Sequence, residues 1–76
     1  MEEWRVAADG ADRTEWERRD GFVRVVVRRT ATGEWAATLD VLEQAPEGPA
    51  YGQGTHQTRE AATDRARTWR ERYARD

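Results

Sequence analysis

Residues 22–42 read FVRVVVRRT, then ATG, then EWAATLDVL. Side chains of a β-strand alternate between its two faces. The odd positions here are Val23, Val25 and Val27, then Trp35, Ala37, Leu39 and Val41. The even positions are mostly polar: Arg24, Arg28, Glu34, Thr38 and Asp40. One dry face and one wet face make a half-buried antiparallel hairpin. A three-residue loop, Ala31-Thr32-Gly33, puts glycine at the left-handed position. Thr30 then faces Glu34, and Val27, Val25 and Val23 face Ala37, Leu39 and Val41. A slip of one residue would set valines against charges, so the register is well specified.

The hairpin places the segments before it. Asp20-Gly21 is a two-residue turn signal. It pairs Arg19 with Phe22, Trp16 with Val25 and Thr14 with Val27. That pairing decides residues 13–19 in favour of a strand, although Glu and Arg are good helix formers. Trp16 joins the dry face. Trp4 to Ala8 reads as a first strand, with Trp4, Val6 and Ala8 on one side. A loop of Ala8 to Gly10 or of Asp9 to Ala11 keeps Trp4 on the dry face.

After the hairpin, Glu43 to Gln57 holds both prolines and Gly48, Gly52 and Gly54. It is a long connection for a compact domain. Tyr51 to His56 either adds a short edge strand or belongs to a loop that wraps one end of the sheet. Thr58 has the chemistry of a helix N-cap. Beyond it Ala62, Ala66, Trp69 and Tyr73 form one helical stripe. Glu60, Asp64, Arg67 and Glu71 lie opposite. Glu71 and Arg75 form a favourable i, i+4 pair worth a few tenths of a kcal/mol.

The expected architecture is a single α+β domain. It is a four-stranded antiparallel β-meander with one C-terminal α-helix packed on one face. The strands span about 3–8, 13–19, 22–30 and 34–42, the loop 43–57, and the helix about 59–75. Each of the four tryptophans comes from a different element, and all four are expected in the core.

Composition limits what the fold can do. At 76 residues the chain is near the lower limit for a self-sufficient core. It has no cysteine, hence no disulfide and no thiolate metal site. Tryptophans substitute, each able to bury about 150–250 Å². With no signal-peptide pattern and no long apolar run, a soluble cytoplasmic protein without a membrane role is expected. All thirteen basic residues are arginine and fifteen acids leave a net charge of −2. That is neither a basic nucleic-acid footprint nor an acidic tail. The lysine-free, alanine- and arginine-rich composition is halophile-like and fits a GC-rich genome.

Catalytic chemistry finds little to use. The single histidine, His56, is read as a loop residue, and no zinc or calcium spacing occurs. There is no serine, and no carboxylate sits in an apolar setting that would raise its pKa. Gly52-Gln53-Gly54 lacks the third glycine and preceding buried strand of a phosphate-binding loop. No enzyme activity, cofactor or metal is expected.

Two surface features remain. Phe22 and Leu42 are directly opposed on the polar face, with Val26 one pair further on. Either the 43–57 connection covers them, or they form a patch for a protein partner or for a dimer. Arg13 and Arg28 on the polar face, with Arg67 and Arg70 of the helix, are the candidate nucleic-acid contacts. Arg24, however, falls between Glu17 and Asp40. Such pairs are worth about 0.2–1 kcal/mol each and make the face a mixed charge ladder rather than a positive platform. The favoured function is a small non-enzymatic interaction module that self-associates or binds a protein. The alternative is a nucleic-acid-associated regulator.

Three resemblances accompany these patterns. RRTATGEWAATLD followed by TREAATDRA resembles the plant ethylene-response DNA-binding domain, which implies three strands and a packed helix. That family contacts DNA through arginines and a tryptophan of its exposed sheet face. Here Arg28 alone keeps such a position; Thr32 replaces an aromatic, Asp40 a contacting arginine, and Trp35 matches a core position. Gly54, Thr58, Glu60 and Ala61 echo the signature of HicB-type antitoxins, which share a strand–strand–strand–helix layout. The Trp4 region with EWERRDG, GEW and QAPEG resembles an uncharacterised family of small haloarchaeal proteins, which implies no activity.

Overall fold

The computed structural model describes residues 4–74. The elements run β1 (Trp4–Asp9), β2 (Arg13–Arg18), β3 (Val23–Arg29), β4 (Trp35–Val41), β5 (Ala50–His56) and α1 (Arg59–Arg72). The strands form one antiparallel sheet in the order β1-β2-β3-β4-β5. The helix packs on β3, β4 and β5. The whole is a slab of 35 × 23 × 16 Å.

The central register is the one the alternation dictates. Val27, Val25 and Val23 face Ala37, Leu39 and Val41, and Trp16 and Thr14 face Val25 and Val27. Those odd-numbered side chains are buried together with Ala62, Ala66 and Trp69 of α1. Gly33 takes a φ of 87° at the β3–β4 turn, a conformation that costs glycine nothing. Thr58 caps α1, its hydroxyl accepting the Ala61 N–H at 3.1 Å.

The sheet has five strands, not four. Residues 50–56, expected as connection or edge strand, form a full strand paired along β4 from Val41–Ala50 to Trp35–His56. His56 is therefore a strand residue rather than a loop residue. Gly52 makes this possible: a Cβ there would lie 3.0 Å from Cζ2 of Trp69, so only glycine lets the indole settle on β5. The rest of the connection folds under the dry side and buries Ala45.

Three boundaries also differ. The β2–β3 bend is longer than a two-residue turn. Gly21 N–H donates to Arg18 O at 2.8 Å, and the Asp20 carboxylate accepts the Phe22 N–H at 3.0 Å. This side chain replaces ladder bonds, so the strands stop at Arg18 and start at Val23. In β1 the register shifts between Val6 and Ala8. The bulge at Ala7 keeps Val6 opposite Trp16 but turns Ala8 to face Glu15, so Trp4, Val6 and Ala8 do not share a side. Val6 is 58% exposed, since the helix packs mainly on β3, β4 and β5. The helix ends at Arg72, with Tyr73 as its C-cap. The expected Glu71–Arg75 pair and the expected start of β1 at residue 3 lie outside the described residues.

The three tryptophans of the sheet, Trp4, Trp16 and Trp35, meet the helix that carries the fourth. Trp69 is buried, while Trp4, Trp16 and Trp35 are half-buried against the core. Trp4 Nε1 donates to Arg70 O at 3.1 Å. The Arg70 guanidinium lies 4.4 Å from the Trp16 ring centre, Arg59 5.4 Å from Trp35, and Arg65 5.0 Å from Trp69. Cations stacked on indoles cover apolar surface that so short a helix cannot reach by itself.

Candidate functional site

The helix leaves one sheet face open, and its side chains fall into rows set by the strand register. One row runs Arg5, Glu17, Arg24, Asp40, Tyr51 across all five strands. Signs alternate along it until the neutral tyrosine. Arg5 Nε donates to Glu17 at 3.0 Å, and Arg24 Nη2 reaches the other Glu17 oxygen at 3.4 Å. The hydrogen bond from Arg5 holds the Glu17 carboxyl below its usual range, and Arg24 adds to the effect. The next row, Glu15, Val26, Thr38 and Gln53, is largely neutral.

The apolar end of this face lies beside the charged row. Leu42 N–H donates to Phe22 O at 2.9 Å, which confirms the opposition of these two residues. Leu42 is 42% exposed and Tyr51 68% exposed. The 43–57 connection does not cover them, because Ala45 and the Glu47 carboxylate are drawn to the opposite side. Phe22 is half-buried and leans on the core. A shallow cleft of about 150 Å³ opens here, lined by Glu17, Gly21, Phe22, Arg24, Asp40 and Leu42. Val26, expected in the same patch, is half-buried and separated from Phe22 by the Arg24 row. Tyr51 was not among the expected patch residues; it joins because β5 exists.

The candidate nucleic-acid contacts do not form one surface. Arg13 and Arg28 are direct neighbours on the open face, and Arg13 Nε pairs with Glu15 at 2.5 Å. Arg67 and Arg70 belong to the helix on the other side of the sheet. Arg67 pairs with Asp64 at 3.1 Å, and Arg70 is stacked on Trp16. Burial pushes the Arg70 guanidinium below its ordinary value, chiefly by desolvation.

The most connected polar group was not singled out from sequence. Arg18 has only 1% of its side chain exposed. Its Nη1 and Nη2 donate to the two Glu47 oxygens at 2.7 and 3.1 Å, and its Nε to Asp20 at 3.0 Å. Nη1 also donates to Tyr73 O at the helix C-terminus, at 2.8 Å. These acids push the guanidinium further above its ordinary value, the Glu47 hydrogen bonds most of all. The network joins β2, the β2–β3 bend, the β4–β5 connection and α1, so it serves the fold.

The family model for DUF7543, described as a family of unknown function, matches residues 1–72. The chain belongs to that family. No curated protein and no solved structure matches this DUF7543 domain. No helix among its described residues is long and apolar enough to cross a membrane.

Proposed function

We propose that this DUF7543 domain is a non-enzymatic module that binds a protein through the open sheet face, at the end formed by Phe22, Leu42 and Tyr51. The observation that carries the reading is the contrast within that face. Arg5, Glu17 and Arg24 are paired along its charged row, whereas Leu42 and Tyr51 stand exposed beside a cleft. Exposed apolar groups rimmed by paired charges have the composition of a contact surface. Tyrosine brings large area with few rotatable bonds. Glu17, in the lining of the cleft, favours binding over catalysis. Glu17 is held ionised by two arginines, so it is a poor proton donor near neutral pH.

A photo-cross-linking residue placed at Leu42, and separately at Glu60 on the outer side of α1, tests this in cells of the source organism. A discrete protein adduct from position 42 alone is expected. No adduct, or the same adducts from both positions, would refute it.

A further inference from the structure

The two edges of the sheet are built differently. Edge strands expose unpaired N–H and C=O groups, and proteins guard them with charges, bulges or cover. β1 is guarded by its bulge and by Arg5 and Asp9. β5 reads AYGQGTH over seven residues, with no acid, no arginine, no proline and no register shift.

The hydrogen-bond phase of β5 follows from its neighbours. Leu42 N–H bonds Phe22 O and Thr30 N–H bonds Glu34 O, so the even residues of β4 turn their backbone to β3. The odd residues then turn to β5, where they pair with Ala50, Gly52, Gly54 and His56. Tyr51, Gln53 and Thr55 are left with N–H and C=O pointing outward. These three are centred on Gln53. An antiparallel twofold there pairs Tyr51 with Thr55 of a second copy, Gln53 with its own counterpart, and Thr55 with Tyr51. Each is a hydrogen-bonded pair exchanging two backbone bonds. All the outward groups are satisfied at once.

We infer that a second copy of this chain docks on the β5 edge, joining two five-stranded sheets about a twofold axis at Gln53. The side chains suit this occupant. No like charges meet across the axis, because β5 has none. On the open face the exposed Tyr51, whose hydroxyl donates to Gln53 Oε1 of its own strand at 3.1 Å, stands opposite Thr55 of the copy, an aromatic paired with a β-branched residue. On the helix side Gly52 meets Gly54 at the centre of the contact, and the only β5 side chains on that side, Ala50 and His56, meet at its ends. The joined sheet also brings the two Leu42–Tyr51 surfaces into one continuous face. Because the contact is one strand pair, it falls at the small end of interfaces, below about 1,200 Å², and forms with concentration.

The dimer contact lies at the edge rather than at the Phe22–Leu42 patch, and the Gln53 substitutions that test it leave Phe22 and Leu42 in place. Sedimentation across protein concentration is expected to show a monomer–dimer equilibrium in the micromolar range, roughly. Gln53→Lys sets two like charges at the axis, and Gln53→Pro removes an outward N–H without touching β4. Each is expected to weaken dimerisation at least about tenfold, a loss of about 1.4 kcal/mol, with unchanged circular dichroism. Register is read by disulfide trapping, since the natural chain has no cysteine. Gln53→Cys places the two thiols face to face, at a separation a disulfide spans. Tyr51→Cys places them four residues apart along the strands, roughly 13 Å. Mild oxidation is expected to cross-link the first and not the second. A wild-type monomer at every concentration, a dimer indifferent to both Gln53 substitutions, or equal trapping of the two cysteine variants would overturn the inference.

Discussion

The Arg18 guanidinium donates to the Tyr73 carbonyl at 2.8 Å while its side chain is 99% buried, so the second strand holds the end of a helix that follows 55 residues later. A cation at a helix C-terminus also meets the negative end of the helix dipole. Asp20 and Glu47 both pair with the guanidinium, and both remain about 30% exposed. Full burial of only the cation limits the desolvation cost.

Replacing Arg18 by Met is therefore expected to destabilise the domain by roughly 2–4 kcal/mol. That is less than a fully buried pair would lose, because both acids can rehydrate. Arg18→Lys recovers only part, since an ammonium cannot span the Glu47 carboxylate and the Asp20 carboxylate with a planar fork. Urea unfolding of the three proteins provides the comparison.

Gly52 is the second packing constraint. A methyl group at this position meets Trp69 at 3.0 Å, and Trp69 is itself buried. Gly52→Ala is expected to cost about 1–3 kcal/mol by overpacking, read as a lower thermal midpoint. Trp69 fluorescence should shift as the indole is displaced.

The acid limb of stability should report Glu17. Its folded pKa lies below its unfolded value, so its contribution is fully present above the unfolded glutamate value of about 4.3 and is lost as pH falls through the folded value. Between about pH 5 and pH 2 the wild type should lose more stability than Glu17→Gln does. Parallel urea curves for the two proteins over that window would contradict the assignment.

The two faces should also respond oppositely to substitution. Leu39 is buried and Leu42 is 42% exposed, though they lie on the same strand run. Leu39→Ala should cost about 2–5 kcal/mol. Leu42→Arg should stay within about 0.5 kcal/mol of wild type. Thermal unfolding distinguishes the two.

Much of the fold was legible because side-chain alternation dominates β3 and β4 despite Val26 and Ala36, and one register satisfies Val23, Val25 and Val27 together. The same alternation placed Trp16 indoors. It also placed Arg18 indoors, two residues on, but a charged type is ordinarily read as exposed, and its partner Glu47 lies 29 residues away. β5 was only half legible: Gly52 and Gly54 weaken a strand pattern, and their reason is an indole from a helix later in the chain. The bulge at Ala7 leaves no mark in a run as short as WRVAAD. For the site, Phe22 and Leu42 followed from the hairpin register. Tyr51 required β5, and the separation of Val26 follows from the Arg24–Asp40 pair that stands between it and Phe22 in the register.

The proposed function requires that the apolar end of the open face be the part that meets a partner. Amide spectra of the isotope-labelled domain, compared between buffer and concentrated extract of the source organism, address this residue by residue. Line broadening or shifts confined to Phe22, Leu42, Tyr51 and their neighbours are predicted. Changes confined to the outer side of α1, or none anywhere, would contradict it.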